Sequence, residues 1–228
     1  MSPAQAQLQI TGFHQAVAEK ASRDEVLAEF YRERGFDGIW TGSDPEAINR
    51  RNALLFALNE AHAHGLPAER YDVEGLIERL HAATTTLEQG AMEVELSRVF
   101  LDYARDVNTG ILTPGRVVSA IKRDVPLIDR RELLEGFIAA RSPQGYLRGL
   151  APQSPEYTRL MRRQLEMRAQ LATGGWGPAV PGSALGPGAT GDRVVALRNR
   201  LMAMGYLGRS VTQTYDAEIT AAVERFQA

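Results

Sequence analysis

Apolar residues recur at three- and four-residue spacing in one stretch after another of this 228-residue chain. The one β-branched run, Val117 to Val125, lacks a clean alternation. The pattern predicts an all-α protein. Val26, Leu27, Phe30 and Tyr31 define a helix that Ser22-Arg-Asp-Glu25 opens as a capping box and Gly35 ends, while Phe13 to Lys20 is mixed in periodicity. Asp44 caps the next helix with Pro45 in its first turn, and Ile48, Leu54, Leu55, Leu58 and Ala61 carry it to Gly65. Asp72 opens a short helix through Leu76, Ile77 and Leu80. Thr84-Thr85-Thr86 opens the longest one, in which Leu87, Met92, Leu96, Val99, Phe100, Tyr103 and Val107 mark a central core helix ending near Gly110. Asp129 starts a helix through Leu133, Leu134, Phe137 and Ile138. Ser142-Pro143 starts a short helix, and Ser154-Pro155 one with Tyr157, Leu160, Leu165 and Leu171 as its stripe.

Gly174 to Gly188 then interrupts the helical pattern with closely spaced Gly and Pro, which divides the chain into a helical domain over 1–173, a connection over 174–190 and a small C-terminal domain over 191–228. Trp176, Val180 and Leu185 within the connection predict a segment laid over a surface. In the last part Val194, Leu197, Leu201 and Met204 share one helix face, and Gly205 closes that helix. Asp216 caps a second helix whose stripe is Ile219, Ala222, Val223 and Phe226, which places Phe226 in a core. Two short helices bury little apolar surface, so 191–228 is expected to need docking on the helical domain, with Trp176 and Leu185 as the contacts.

Composition narrows the chemistry. A net charge of −2 supplies no field for nucleic acid, and no apolar run is long enough to span a membrane, so neither nucleic-acid binding nor membrane insertion is expected. The start, Met1-Ser-Pro-Ala-Gln-Ala-Gln, lacks the basic and apolar regions of a secretory leader. With no cysteine, the sequence offers no thiolate nucleophile and no thiolate metal site. His62 and His64 are two residues apart, which points their rings to opposite sides of a helix and away from a shared metal. Glu93 and Glu95 have the same spacing and read as a solvated face. Phe30, Tyr31, Phe36 and Trp40 read as a core cluster in preference to a sugar platform. No catalytic residue, metal site or cofactor is expected. A lytic glycosidase with paired carboxylates is disfavoured because no acidic pair lies in a suitable loop.

Gly191, Val194, Leu197, Leu201, Gly205, Tyr206, Ala222, Val223, Phe226 and Gln227 resemble the repeat of the small three-helix peptidoglycan-binding domain. Thr214-Tyr215-Asp216 stands where that family has a glycine-rich turn, and Ile219 where a threonine is common. The family continues past this point into a third helix, so the resemblance implies an incomplete domain over 191–228, holding the first two helices. It also implies a shallow ligand groove around Tyr206, Arg209, Thr214 and Tyr215. A ring can stack on a sugar and a guanidinium can hold a stem-peptide carboxylate; the alternative for Tyr206 is that it only closes the turn after Gly205.

Phe30 to Trp40, Ala61 to Tyr71, Gly149 to Tyr157 and Gly174-Gly-Trp176, in this order ahead of the repeat, resemble the front part of the periplasmic murein L,D-transpeptidases that carry a helical scaffold domain. The resemblance implies a scaffold and wall-binding portion in the periplasm. Its partners would be peptidoglycan, through glycan strand or stem peptide, and a C-terminal catalytic domain that forms 3→3 crosslinks through a cysteine acyl-enzyme. The other reading is a stand-alone helical adaptor without glycan affinity.

Overall fold

The computed structural model describes residues 11–122 and 125–228. The start at residues 1–7, and Arg123 and Asp124 of the irregular run, lie outside the described residues. The chain divides into two units, the first ending at Tyr157 and the second beginning at Thr158. Helices are the regular elements of both among the described residues, and the second unit also holds one isolated antiparallel bridge, between Thr190 and Thr214.

The first unit contains α1 (Gly12–Ala21), α2 (Glu25–Glu33), α3 (Pro45–Asn59), α4 (Val73–Ala82), α5 (Thr86–Thr109), the single turn α6 (Pro114–Val117), α7 (Arg130–Ala139) and α8 (Pro143–Gly149). The division falls inside α9 (Pro155–Ala172). Most helix starts follow the predicted chemistry. Asp44 accepts the Ala47 amide at 2.9 Å, Thr85 and Glu88 form a capping box, and Ser142 accepts the Gly145 amide at 3.1 Å. Ser22 is a correction. Its hydroxyl donates back to the Glu19 carbonyl at the end of α1, and Asp24 caps α2 by accepting the Leu27 amide at 3.3 Å.

The mixed stretch from Phe13 to Lys20 is helical because its partner is close and small. α1 packs along α5, and a Cβ on Gly90 would stand 2.5 Å from the Phe13 carbonyl oxygen, so the two backbones approach only where α5 carries glycine. Phe30, Tyr31 and Trp40 are buried, as the core reading requires, and Phe36 packs against them half-buried. Trp40 stacks on Phe137 at 5.2 Å, and Phe137 meets Phe100 at 4.8 Å, which joins α5 and α7 to the turn after α2. Leu160, Leu165 and Leu171 are a second correction: all three are exposed, and α9 buries no residue.

Glu93 is the largest departure from the sequence reading. It is fully buried on α5, and its carboxylate accepts the backbone amides of Ile39 (2.6 Å), Trp40 (3.1 Å) and Thr41 (2.9 Å), together with the hydroxyls of Tyr31 and Thr41, both at 2.9 Å. Burial, then the Glu93 charge, holds the Tyr31 phenol well above its usual pKa, so it remains a donor. Ser97 completes the set, 2.7 Å from the Tyr31 hydroxyl and accepting the Trp40 indole N–H at 2.8 Å. Asp106, also buried on α5, is held by Arg70, by the Tyr71 hydroxyl at 3.0 Å and by Arg105.

Glu93→Ala leaves three amides, two of them buried, without an acceptor and is expected to cost on the order of 4 kcal/mol, whereas Glu93→Gln, which turns one acceptor into a donor, costs about 2 kcal/mol. Urea unfolding with hydrogen exchange at Ile39, Trp40 and Thr41 measures both. Unchanged exchange protection at those amides in the alanine variant would show that the carboxylate does not hold the turn.

Candidate functional site

In the second unit α10 (Asp192–Ala203) ends at Gly205, whose φ of 82° turns the chain back so that the amides of Tyr206 (2.9 Å) and Leu207 (3.2 Å) both reach the Leu201 carbonyl. This reversal sends Leu207 into the core and leaves Tyr206 half-exposed. α11 (Ala217–Gln227) is opened by Asp216, which accepts the Ile219 amide at 3.0 Å; that hydrogen bond keeps the Asp216 carboxyl below the usual carboxylate range. Between them Arg198 donates 2.8 Å to the Thr212 carbonyl, and the Tyr215 amide donates 2.7 Å to Ala189.

The four residues expected around a groove do not share one surface role. Tyr206 is half-exposed, and Arg209 and Thr214 are exposed. Thr214 lies in the bridge to Thr190. Tyr215, 7% exposed, sits in the small core with Val194, Leu201, Leu207, Ile219 and Ala222. The cause is the backbone: pairing on both sides of Tyr215, with its amide on Ala189 and its carbonyl accepting the Gly188 amide at 2.9 Å, draws the ring inward.

Phe226 is the converse correction. Expected in the core, it is 49% exposed and meets Tyr206 edge to face at 5.5 Å, with Arg225 donating 2.8 Å to the Tyr206 carbonyl. Its spacing from Ile219 and Val223 places it on the apolar stripe. Nothing in that spacing reveals that burial along α11 stops at Val223, so no sequence signal marks Phe226 as a surface ring.

The Gly/Pro-rich stretch belongs to the second unit's architecture. Arg193 donates to the carbonyls of Pro181 (3.0 Å) and Ser183, Arg200 to those of Gly177 (2.9 Å) and Pro178 (3.1 Å), and Leu185 packs on the small core. A cavity of about 450 Å³ lies between this strap and the faces of α10 and α11. The exposed Phe226 ring, the half-buried Tyr206 ring beside it and the nearby guanidinium groups suit stacking and hydrogen bonding.

An all-helical first unit is followed by a small helical unit that carries an aromatic pair, Tyr206 and Phe226. The family model of the Scaffold domain matches residues 25–164, and that of the peptidoglycan binding domain matches residues 190–228. The chain belongs to the Scaffold domain family, and peptidoglycan binding is the role its second match supports. No curated protein and no solved structure matched the chain.

Because Phe226 is half-exposed, Phe226→Ala is expected to cost about 1 kcal/mol, mostly the ring contact with Tyr206. Ile219→Ala, at a fully buried position, should cost about 3 kcal/mol. Thermal unfolding of the two variants compares them; equal losses would return Phe226 to the core.

Proposed function

We propose that this chain is the scaffold and wall-binding portion of a periplasmic murein L,D-transpeptidase. In this reading it holds peptidoglycan through its second unit, while a catalytic domain that these 228 residues do not contain forms 3→3 crosslinks. The observation that carries the reading is the order of the two family matches, scaffold and then peptidoglycan-binding domain, along one chain. The sequence has no cysteine, so an acyl-enzyme on cysteine cannot form on these residues. The contact surface assigned to the wall is Tyr206 with Phe226 and Arg209: the rings for a sugar face, the guanidinium for a stem-peptide carboxylate. Tyr215 supports that surface from within the small core.

Sedimentation of the full chain with purified sacculi tests the binding. Tyr206→Ala with Arg209→Ala should weaken retention about tenfold or more, since it removes a stacking ring and a charge-assisted contact, while the helical signal in circular dichroism stays unchanged. Retention equal to that of the unsubstituted chain would remove this surface, and no retention of either would favour a helical adaptor without glycan affinity. The transpeptidase and periplasmic parts have their own test: disruption of the gene should lower 3→3-linked muropeptides in the host wall, and fractionation should find the protein in the periplasm. An unchanged muropeptide profile would sink the transpeptidase part alone.

A further inference from the structure

The first unit holds a concave site that the peptidoglycan-binding match does not cover. A cavity of about 310 Å³ opens between α3, the 3-10 turn Glu60–His64, α5 and α8, with Phe56, Glu60, His64, Tyr103, Gln144 and Arg148 on its walls. Ala53, Ala57 and Leu147 give it an apolar floor.

Two of these residues point to a ligand. Phe56 is 65% exposed at the cavity, an aromatic ring left against water although the neighbouring Leu54 and Leu58 are buried. Tyr103 is only 2% exposed, yet its hydroxyl makes no hydrogen bond among the described residues. Every fully enclosed side-chain polar atom among the described residues has a partner, so the Tyr103 hydroxyl is one that still reaches open space, and the space it lines is this cavity. Burial pushes its pKa up to about 12, which keeps it protonated and able to donate. His64 is engaged by the Tyr157 hydroxyl, and burial lowers its pKa, so it adds no positive charge near neutral pH. Glu60 and Arg148 contribute one charge of each sign, and the wall as a whole is neutral.

We propose that this cavity is a saccharide site for one N-acetylated hexose ring. A neutral, hydroxyl-rich ligand matches a neutral wall of hydroxyl, amide and carboxylate groups, a ring face matches Phe56, and the acetyl methyl matches the alanine floor. The volume lies at the small end of ligand sites, which run from about 300 to 1,000 Å³, and so fits a single ring in preference to a strand. The site goes beyond wall binding by the second unit: it gives the scaffold its own glycan contact, and it stands or falls independently of Tyr206 and Arg209.

Nuclear magnetic resonance titration of the full chain with N-acetylglucosamine, and with glucose as the ring lacking the acetamido group, tests it. The expected result is saturable shifts of the Phe56 and Tyr103 ring signals with N-acetylglucosamine, and weaker binding of glucose. Tyr103→Phe, which deletes a hydroxyl without a protein partner, should raise Kd about fivefold to tenfold at an unchanged unfolding midpoint, and Phe56→Ala should raise it by at least as much. Tyr206→Ala should leave these shifts as they are. Absence of saturable shifts at both rings, or an unchanged Kd in both variants, overturns the proposal. Shifts confined to Tyr206 and Phe226 would support the second unit's surface and count against this cavity.

Discussion

The first unit depends on one buried carboxylate. The turn Ile39-Trp40-Thr41 belongs to no helix, so its amides have no partners of their own, and a buried amide without an acceptor is among the costlier defects a core can hold. Glu93 accepts all three. Its own burial is tolerable only because that many donors converge on it, which is the condition under which a charge can leave water. The carbonyls of the same turn are taken by Arg50, 2.8 Å from the Ile39 oxygen, and Arg51, 2.6 Å from that of Trp40. Trp40 is thereby fixed where it can stack on Phe137, and α7 gains its place in the core through that contact.

The same device recurs farther along α5. Asp106 holds Arg70 and Tyr71, which lie in and just after the short 3-10 turn ahead of α4. α5 therefore fastens two irregular segments with two buried carboxylates, and its apolar residues do the packing between them. Tyr103 lies one turn before Asp106 and differs from it in one respect: its hydroxyl opens to a cavity and has no protein group to answer it. Every fully enclosed side-chain polar atom among the described residues has a partner, so a hydroxyl without one on a nearly buried ring is one that meets open space.

What was legible in the sequence follows from the range of the interactions. Caps are local, so Asp44, Thr85, Asp129, Ser142 and Asp216 could be read from a few neighbouring residues. The reading failed where the deciding partner is distant. Glu93 sits at a polar position whose meaning comes from residues more than fifty positions earlier, and α1 is stabilised by a glycine on α5 that periodicity within Phe13 to Lys20 does not contain. Phe226 and Tyr215 exchanged expected places for the same reason. Helical spacing assigns a face to a ring, but whether that face is covered depends on Ala189 and Gly188 pairing beside Tyr215 and on burial along α11 stopping at Val223, ahead of Phe226.

The second unit shows how a small core can still present a defined surface. Six buried residues make a slight core, and burial on that scale gives limited stability. Arg193 and Arg200 add to it by holding carbonyls of the strap from Gly177 to Ser183, so a segment composed like a free linker is tied to α10. A unit of this kind has little area to offer a ligand, and its contact with any one disaccharide is expected to be weak. Peptidoglycan relaxes that limit because it is a polymer of repeating sugars and peptides: a second weak site on the same chain acts at a high effective concentration once the first is occupied. A scaffold carrying its own sugar cavity would thus raise wall affinity without enlarging the small unit, by placing a second contact on the same polymer.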